Sequence, residues 1–148
     1  MIAELSKDPA NETVLLLAHG EATDEGNDKW LAVMGQNIDR LRQDPHCAKL
    51  KTIKALTVRE DWPKEREKAV AGVRATIEEA SKHGRVLVIA NRLYGSGPYK
   101  SMLKGLTYEI NEKGLADPVL TDWLRDGMTR ITAELIPSKS QQSAHAHP

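Results

Sequence analysis

The chain has 148 residues and carries 21 Lys plus Arg against 21 Asp plus Glu, a formal net charge of zero. That length suits one domain, since domains cluster at roughly 100–150 residues, and an even charge balance argues against a nucleic-acid partner, whose binders show a basic excess. Apolar residues make up 40% of the chain, enough for a core, and the single cysteine, Cys47, excludes both an internal disulfide framework and a zinc site built from several thiolates.

Residues 1–12 are polar, contain Pro9 and Asn11, and read as a lead-in with neither the basic nor the apolar stretch of a secretory leader. Thr13 to Ala18 (TVLLLA) is a continuous apolar run, as in a strand buried on both faces of a parallel sheet. It holds the longest apolar run, far short of the ~20 residues that cross a bilayer, so a soluble, cytoplasmic protein with no membrane partner is expected. His19-Gly20 ends the strand and a polar loop, EATDEGND, follows. From about Asp28 the pattern turns helical, with Trp30, Leu31, Met34, Ile38 and Leu41 at spacings of three and four, until Asp44-Pro45 stops it.

Lys51 to Val58 reads as a second strand, its lysines marking an edge or a half-exposed face. Arg59-Glu60-Asp61 breaks it. Pro63 opens a helix with the apolar stripe Val70, Val73, Ile77 and Ala80, and Gly84 stops it. Arg85 to Ala90 (RVLVIA) is the second strongly buried strand. Asn91 to Gly97 is a glycine-containing loop, followed by a short helix opened by Pro98. Leu106 to Ile110 is a candidate fourth strand, and Asp117-Pro118 a candidate cap and first residue of a last helix that buries Leu120, Leu124, Ile131 and Leu135. A folded domain over 13–136 and a disordered polar tail over 137–148 are expected.

This order implies an α/β fold: a three-layer αβα, flavodoxin-like arrangement with an open, mostly parallel four-stranded sheet. Ligands of such sheets bind beyond the carboxyl ends of the strands. His19, Arg59-Glu60-Asp61 and the Asn91 to Gly97 loop all fall at that edge.

His19 has Glu21, Asp24, Glu25 and Asp28 within nine residues. An imidazole among carboxylates suits divalent-metal binding or proton acceptance near neutral pH; the plainer alternative is a turn histidine beside carboxylates that favour a helix N-terminus. Glu60 is a candidate second ligand or proton acceptor and Arg59 a candidate anion binder, against the alternative that Asp61 caps the next helix while its neighbours are solvated. The loop Asn91 to Tyr99 (NRLYGSGPY) matches neither a Walker A loop nor the dinucleotide fingerprint. Trp30 and Trp123 are expected to pack in the core, and Trp62 to be a candidate pocket wall. His46 and His83 sit at helix ends, where a structural role is expected. His145 and His147 fall in the tail.

LLLAHG at the first strand end, Glu60 three residues before Pro63, and VLVIANRLYGSGPY together resemble the class II chelatases, the sirohydrochlorin cobalt and iron chelatases of the CbiX and SirB type. The resemblance spans roughly Glu12 to Gly127 and includes KGLTYEINEKGLADPVLTDWL. It implies a chelatase-like αβα fold and insertion of Co²⁺ or Fe²⁺, as substrate metal, into a tetrapyrrole, with no tightly bound cofactor. Short family members pair as homodimers around a cleft, and a homodimer is implied here. The family's first-strand histidine, a metal ligand and base, falls on His19, and its strand-two glutamate on Glu60. Arg59, Arg92, Ser96, Gly97, Tyr99 and Lys100 would face the substrate, with Lys104 a further partner for its carboxylates. One departure is plain: active members carry a second histidine in the glycine-rich loop, whereas this chain has Gly95-Ser96-Gly97 there and no histidine between Gly84 and Gly127. A non-catalytic tetrapyrrole- or metal-binding domain is therefore the alternative. His19-Gly20-Glu21 also resembles the HGE of histidine phosphatases, but Ala18 stands where those have arginine.

Overall fold

A computed structural model describes residues 1–114 and 120–135. The chain divides into two units, Met1–Leu115 and Ala116–Pro148. The first contains helix α1 (Ile2–Leu5), strand β1 (Glu12–Ala18), α2 (Asp24–Leu41), β2 (Thr52–Thr57), α3 (Pro63–Ser81), β3 (Arg85–Ala90), α4 (Tyr99–Met102) and β4 (Glu109–Asn111); the second contains α5 (Thr121–Leu135). The strands form one open sheet in the order β2-β1-β3-β4, and every pairing is parallel. This is the expected αβα, flavodoxin-like arrangement.

The apolar run of β1 is buried throughout because helices cover both faces. Successive side chains of a strand point to opposite faces, so Val14, Leu16 and Ala18 pack on one side with Met34 of α2, Leu87 and Ile89. Leu15 and Leu17 pack on the other with Val73 and Ile77 of α3, Val86 and Val88. Leu16 lies opposite Ala55 in β2 and Ile89 in β3, which brings the three strand ends level.

Five expectations change. Residues 1–12 are more than a lead-in: α1 buries Ile2 beneath the α2 side of the sheet, and β1 begins at Glu12. Helix α2 starts at Asp24 rather than Asp28, because the Thr23 hydroxyl accepts the Gly26 N–H at 3.0 Å and two acids occupy the first turn. Strand β4 covers only Glu109–Asn111; Leu106 is held in a turn, its N–H on the Leu103 carbonyl at 3.2 Å, and packs on the core from outside the strand. Trp30, expected in the core, is 38% exposed on α2, where Met34 takes the buried position. Helix α5 has the expected amphipathic spacing, but Trp123, Leu124 and Ile131 are exposed. Its proposed cap, Asp117-Pro118, lies outside the described residues.

Candidate functional site

The strand order reverses between β1 and β3, the point in such open sheets beyond whose carboxyl edge ligands bind. Three loops meet there. The β1 loop brings His19, the β2 loop Arg59 to Trp62, and the β3 loop Asn91 to Gly97. Backbone bonds continue the ladder into them: Val58 N–H donates to Ala18 C=O at 3.0 Å, and Asn91 N–H to Leu17 C=O at 2.7 Å.

His19 is held at both ring nitrogens. Its Nδ1 lies 3.0 Å from the Gly20 carbonyl, and its Nε2 lies 3.1 Å from Oδ2 of Asp61. Trp62 presses its ring edge-on at 5.4 Å between centroids. The Gly20 carbonyl, against the opposing effect of burial, holds the imidazole above its ordinary 6.5, helped by the Asp61 hydrogen bond and by the charges of Glu60 and Asp61. Since a carbonyl only accepts, Nδ1 carries a proton in both charge states, and Nε2 is the atom that titrates. Protonated, it donates to Asp61. Neutral, it presents a lone pair beside a carboxylate oxygen, a two-donor arrangement suited to a divalent cation or to receiving a proton.

The turn that presents this ring is tightly made. Gly20 has φ +85°, and a Cβ there would lie 2.8 Å from both Asn27 Oδ1 and Thr57 Cβ, so glycine is required. Arg59 clamps the far side of the turn. Its Nε donates to the Glu21 carbonyl at 2.7 Å, its Nη2 to the Ala22 carbonyl, and its Nη1 to Asp24 at 2.6 Å. Among the described residues Arg59 is the one non-glycine with positive φ, at 51°. Its guanidinium, expected to bind an anionic substrate, instead holds the protein's own loop with its side chain only 11% exposed.

Glu60 and Asp61, adjacent in sequence, take different partners. Asp61, read as a helix cap, reaches His19; Trp62 stands at the N-cap of α3 and makes no side-chain cap bond. Glu60, read as the second metal ligand, is directed to the Arg92 guanidinium with its side chain 11% exposed. Arg92 lies over the Tyr99 ring, 5.7 Å from its centroid, a cation–π stack on a fully buried base. Gly97 closes on it from another side, at φ +55°, where a Cβ would sit 2.8 Å from the guanidinium carbon. Burial pushes the Tyr99 phenol up to about 12, against the pull of Arg92, so the phenol stays neutral across the physiological range. Tyr99 is thus the floor under Arg92 rather than a substrate contact.

Ser96 is buried, and its carbonyl accepts the Tyr99 N–H at 3.3 Å. Lys100 pairs with Glu112 at 2.7 Å on the surface. The acids near His19 in sequence do not surround it in space: Asp24 serves Arg59, Glu25 pairs with Lys29 at 2.6 Å, and Glu21 accepts the Ala22 N–H. Among the described residues no group of three or more His, Cys, Asp or Glu side chains is gathered to hold a metal ion. The His19–Asp61 pair, with Glu60 next to it in the chain, is the donor set this edge offers. His83 bonds Glu79 at 3.1 Å on α3, away from this edge; His145 and His147 lie outside the described residues.

Asp61 is the residue that sequence reasoning missed. Its signal was present: two consecutive acids leaving a strand point in different directions, so one of them could reach the neighbouring strand end. Within the described residues no helix is long and apolar enough to cross a membrane. No protein-family model, curated protein or solved structure matches the chain.

Proposed function

We propose that this chain inserts a divalent metal, Co²⁺ or Fe²⁺, into a sirohydrochlorin-type tetrapyrrole. The observation that carries the reading is the His19–Asp61 pair, Nε2 to Oδ2 at 3.1 Å, at the carboxyl edge of the sheet beside its switch point. Insertion exchanges one metal dication for two pyrrole protons, so it needs a weakly held, partly dehydrated cation and bases that accept protons. Two protein donors hold such a cation loosely. Neutral His19 Nε2 and Asp61 are suitable acceptors, and Trp62 gives the pocket an aromatic wall. Arg92, half-buried and rigidly stacked, suits a carboxylate of the substrate, since guanidinium forms paired charge-assisted bonds with carboxylates.

A homodimer fits this reading, because a second copy would bring a second His19 to a site that has two donors in one chain. A cytoplasmic location, where reduced metal ions and a single free thiol persist, belongs to the same proposal. The decisive experiment follows cobalt and iron entry into sirohydrochlorin by absorbance. Wild type should accelerate entry, and His19→Ala should lose at least tenfold in rate, about 1.4 kcal/mol of barrier, while keeping its circular dichroism. Tight porphyrinoid binding with no acceleration of either metal would instead establish a non-catalytic binding domain, the reading favoured by the absence of any histidine between Gly84 and Gly127.

A further inference from the structure

The two acids at the end of β2 divide the site into a cation half and an anion half, and Glu60 stands between them. On one side, its backbone N–H reaches the His19 carbonyl at 3.4 Å, and the next residue, Asp61, bonds the His19 ring at 3.1 Å. On the other, its carboxylate neutralises Arg92. Arg92 itself has little freedom: Tyr99 lies beneath it, Gly97 against it, and its side chain remains 30% exposed. While Glu60 occupies it, this guanidinium is a poor receptor for an outside carboxylate, because the positive charge is already paired.

We propose that Glu60 is a shared counter-ion that couples the two halves: it leaves Arg92 for a divalent cation held by His19 and Asp61, and Arg92 then receives a carboxylate of the anionic substrate. The inference rests on the chelatase reading above and adds an order to it, metal before macrocycle. The electrostatics are of the right form. A divalent charge competes with a single guanidinium for the same carboxylate, and each ligand must favour the other by the same factor, since coupling is reciprocal.

The test uses the full chain with Co²⁺ and the polycarboxylate porphyrin uroporphyrin as probes. Porphyrin binding is read by fluorescence anisotropy in the first seconds after mixing, before any movement of the Soret band signals metal entry. Cobalt should tighten porphyrin binding to wild type about tenfold, within the usual range of coupling between sites. Glu60→Gln, which cannot neutralise Arg92, should bind porphyrin tightly without cobalt and gain nothing from it. Arg92→Gln should bind weakly in both conditions, and His19→Ala should show no cobalt effect. As a measurement on wild type, independent of whether these variants fold, Zn²⁺ should shift the Arg92 Nε–H resonance as its partner departs. The coupling is overturned, with the chelatase reading intact, if both probes bind wild type independently, if Glu60→Gln keeps the cobalt effect, or if Zn²⁺ leaves the Arg92 signal unmoved. Binding of neither probe to wild type would overturn both.

Discussion

Asp61 adds, through one exposed hydrogen bond, to the upward shift of His19 that the Gly20 carbonyl leads. Replacing it with Asn removes a charge and weakens an acceptor, so the imidazole midpoint followed by NMR should fall toward 6.5 in Asp61→Asn. The sign for stability follows from the raised value: the contribution of protonated His19 is fully present below 6.5 and is lost as pH rises through its folded-state midpoint. Cobalt affinity should run the opposite way and increase across that same interval, because the cation displaces the Nε2 proton. An unchanged midpoint in Asp61→Asn would mean that the Gly20 carbonyl alone sustains the shift. Position His19 was legible in the sequence because a histidine-glycine pair follows directly on the apolar run Val14 to Ala18. Its partner was not, because Asp61 is distant in the chain and an acid before a helix also reads as a cap.

At the level of elements, the amino-terminal segment shows how one buried charge shapes local structure. Glu12 opens β1 fully buried, yet it accepts from the Ser6 hydroxyl, the Lys7 N–H at 2.8 Å, the Asp8 N–H at 3.0 Å and the Arg85 guanidinium. Arg85 also donates to the Leu5 carbonyl at 3.1 Å and to Glu109, so β3, β4 and α1 are tied at one point. Burial alone would raise the Glu12 carboxyl; the hydrogen bonds and Arg85 outweigh it and hold it below its ordinary 4.5. Its contribution to stability is therefore present above 4.5 and is lost as pH falls through the depressed value. Glu12→Gln should cost about 2 kcal/mol in urea denaturation, the scale of leaving buried donors without an ionised acceptor, and should expose α1 to proteolysis. A wild-type urea midpoint would refute this. Hydrophobic periodicity could not reveal the element, since α1 is four residues long and is anchored by polar contacts beyond its own span.

For the sheet-bearing unit as a whole, β1 is the central plank that both helical layers share. Leu17 faces α3 and Leu16 faces α2. Leu17→Ala removes a fully buried side chain and should cost about 3 kcal/mol, the middle of the range for such truncations. Both layers should then lose stability in one transition, with the same midpoint by tryptophan fluorescence and by circular dichroism, because they pack on the same strand. Separate midpoints would show that the two faces fold independently.

Composition and periodicity determined the α/β class, the parallel sheet, its two buried strands and the edge at which the loops of His19, Glu60 and Arg92 meet, because those features depend on local alternation and on the apolar run that a twice-covered strand requires. Tertiary structure alone decided which side chains pair across that edge: Asp61 with His19, Glu60 with Arg92, and Arg59 with the loop that follows β1. These partners come from different strands, and only the register of β1 against β2 and β3 brings them within hydrogen-bond distance.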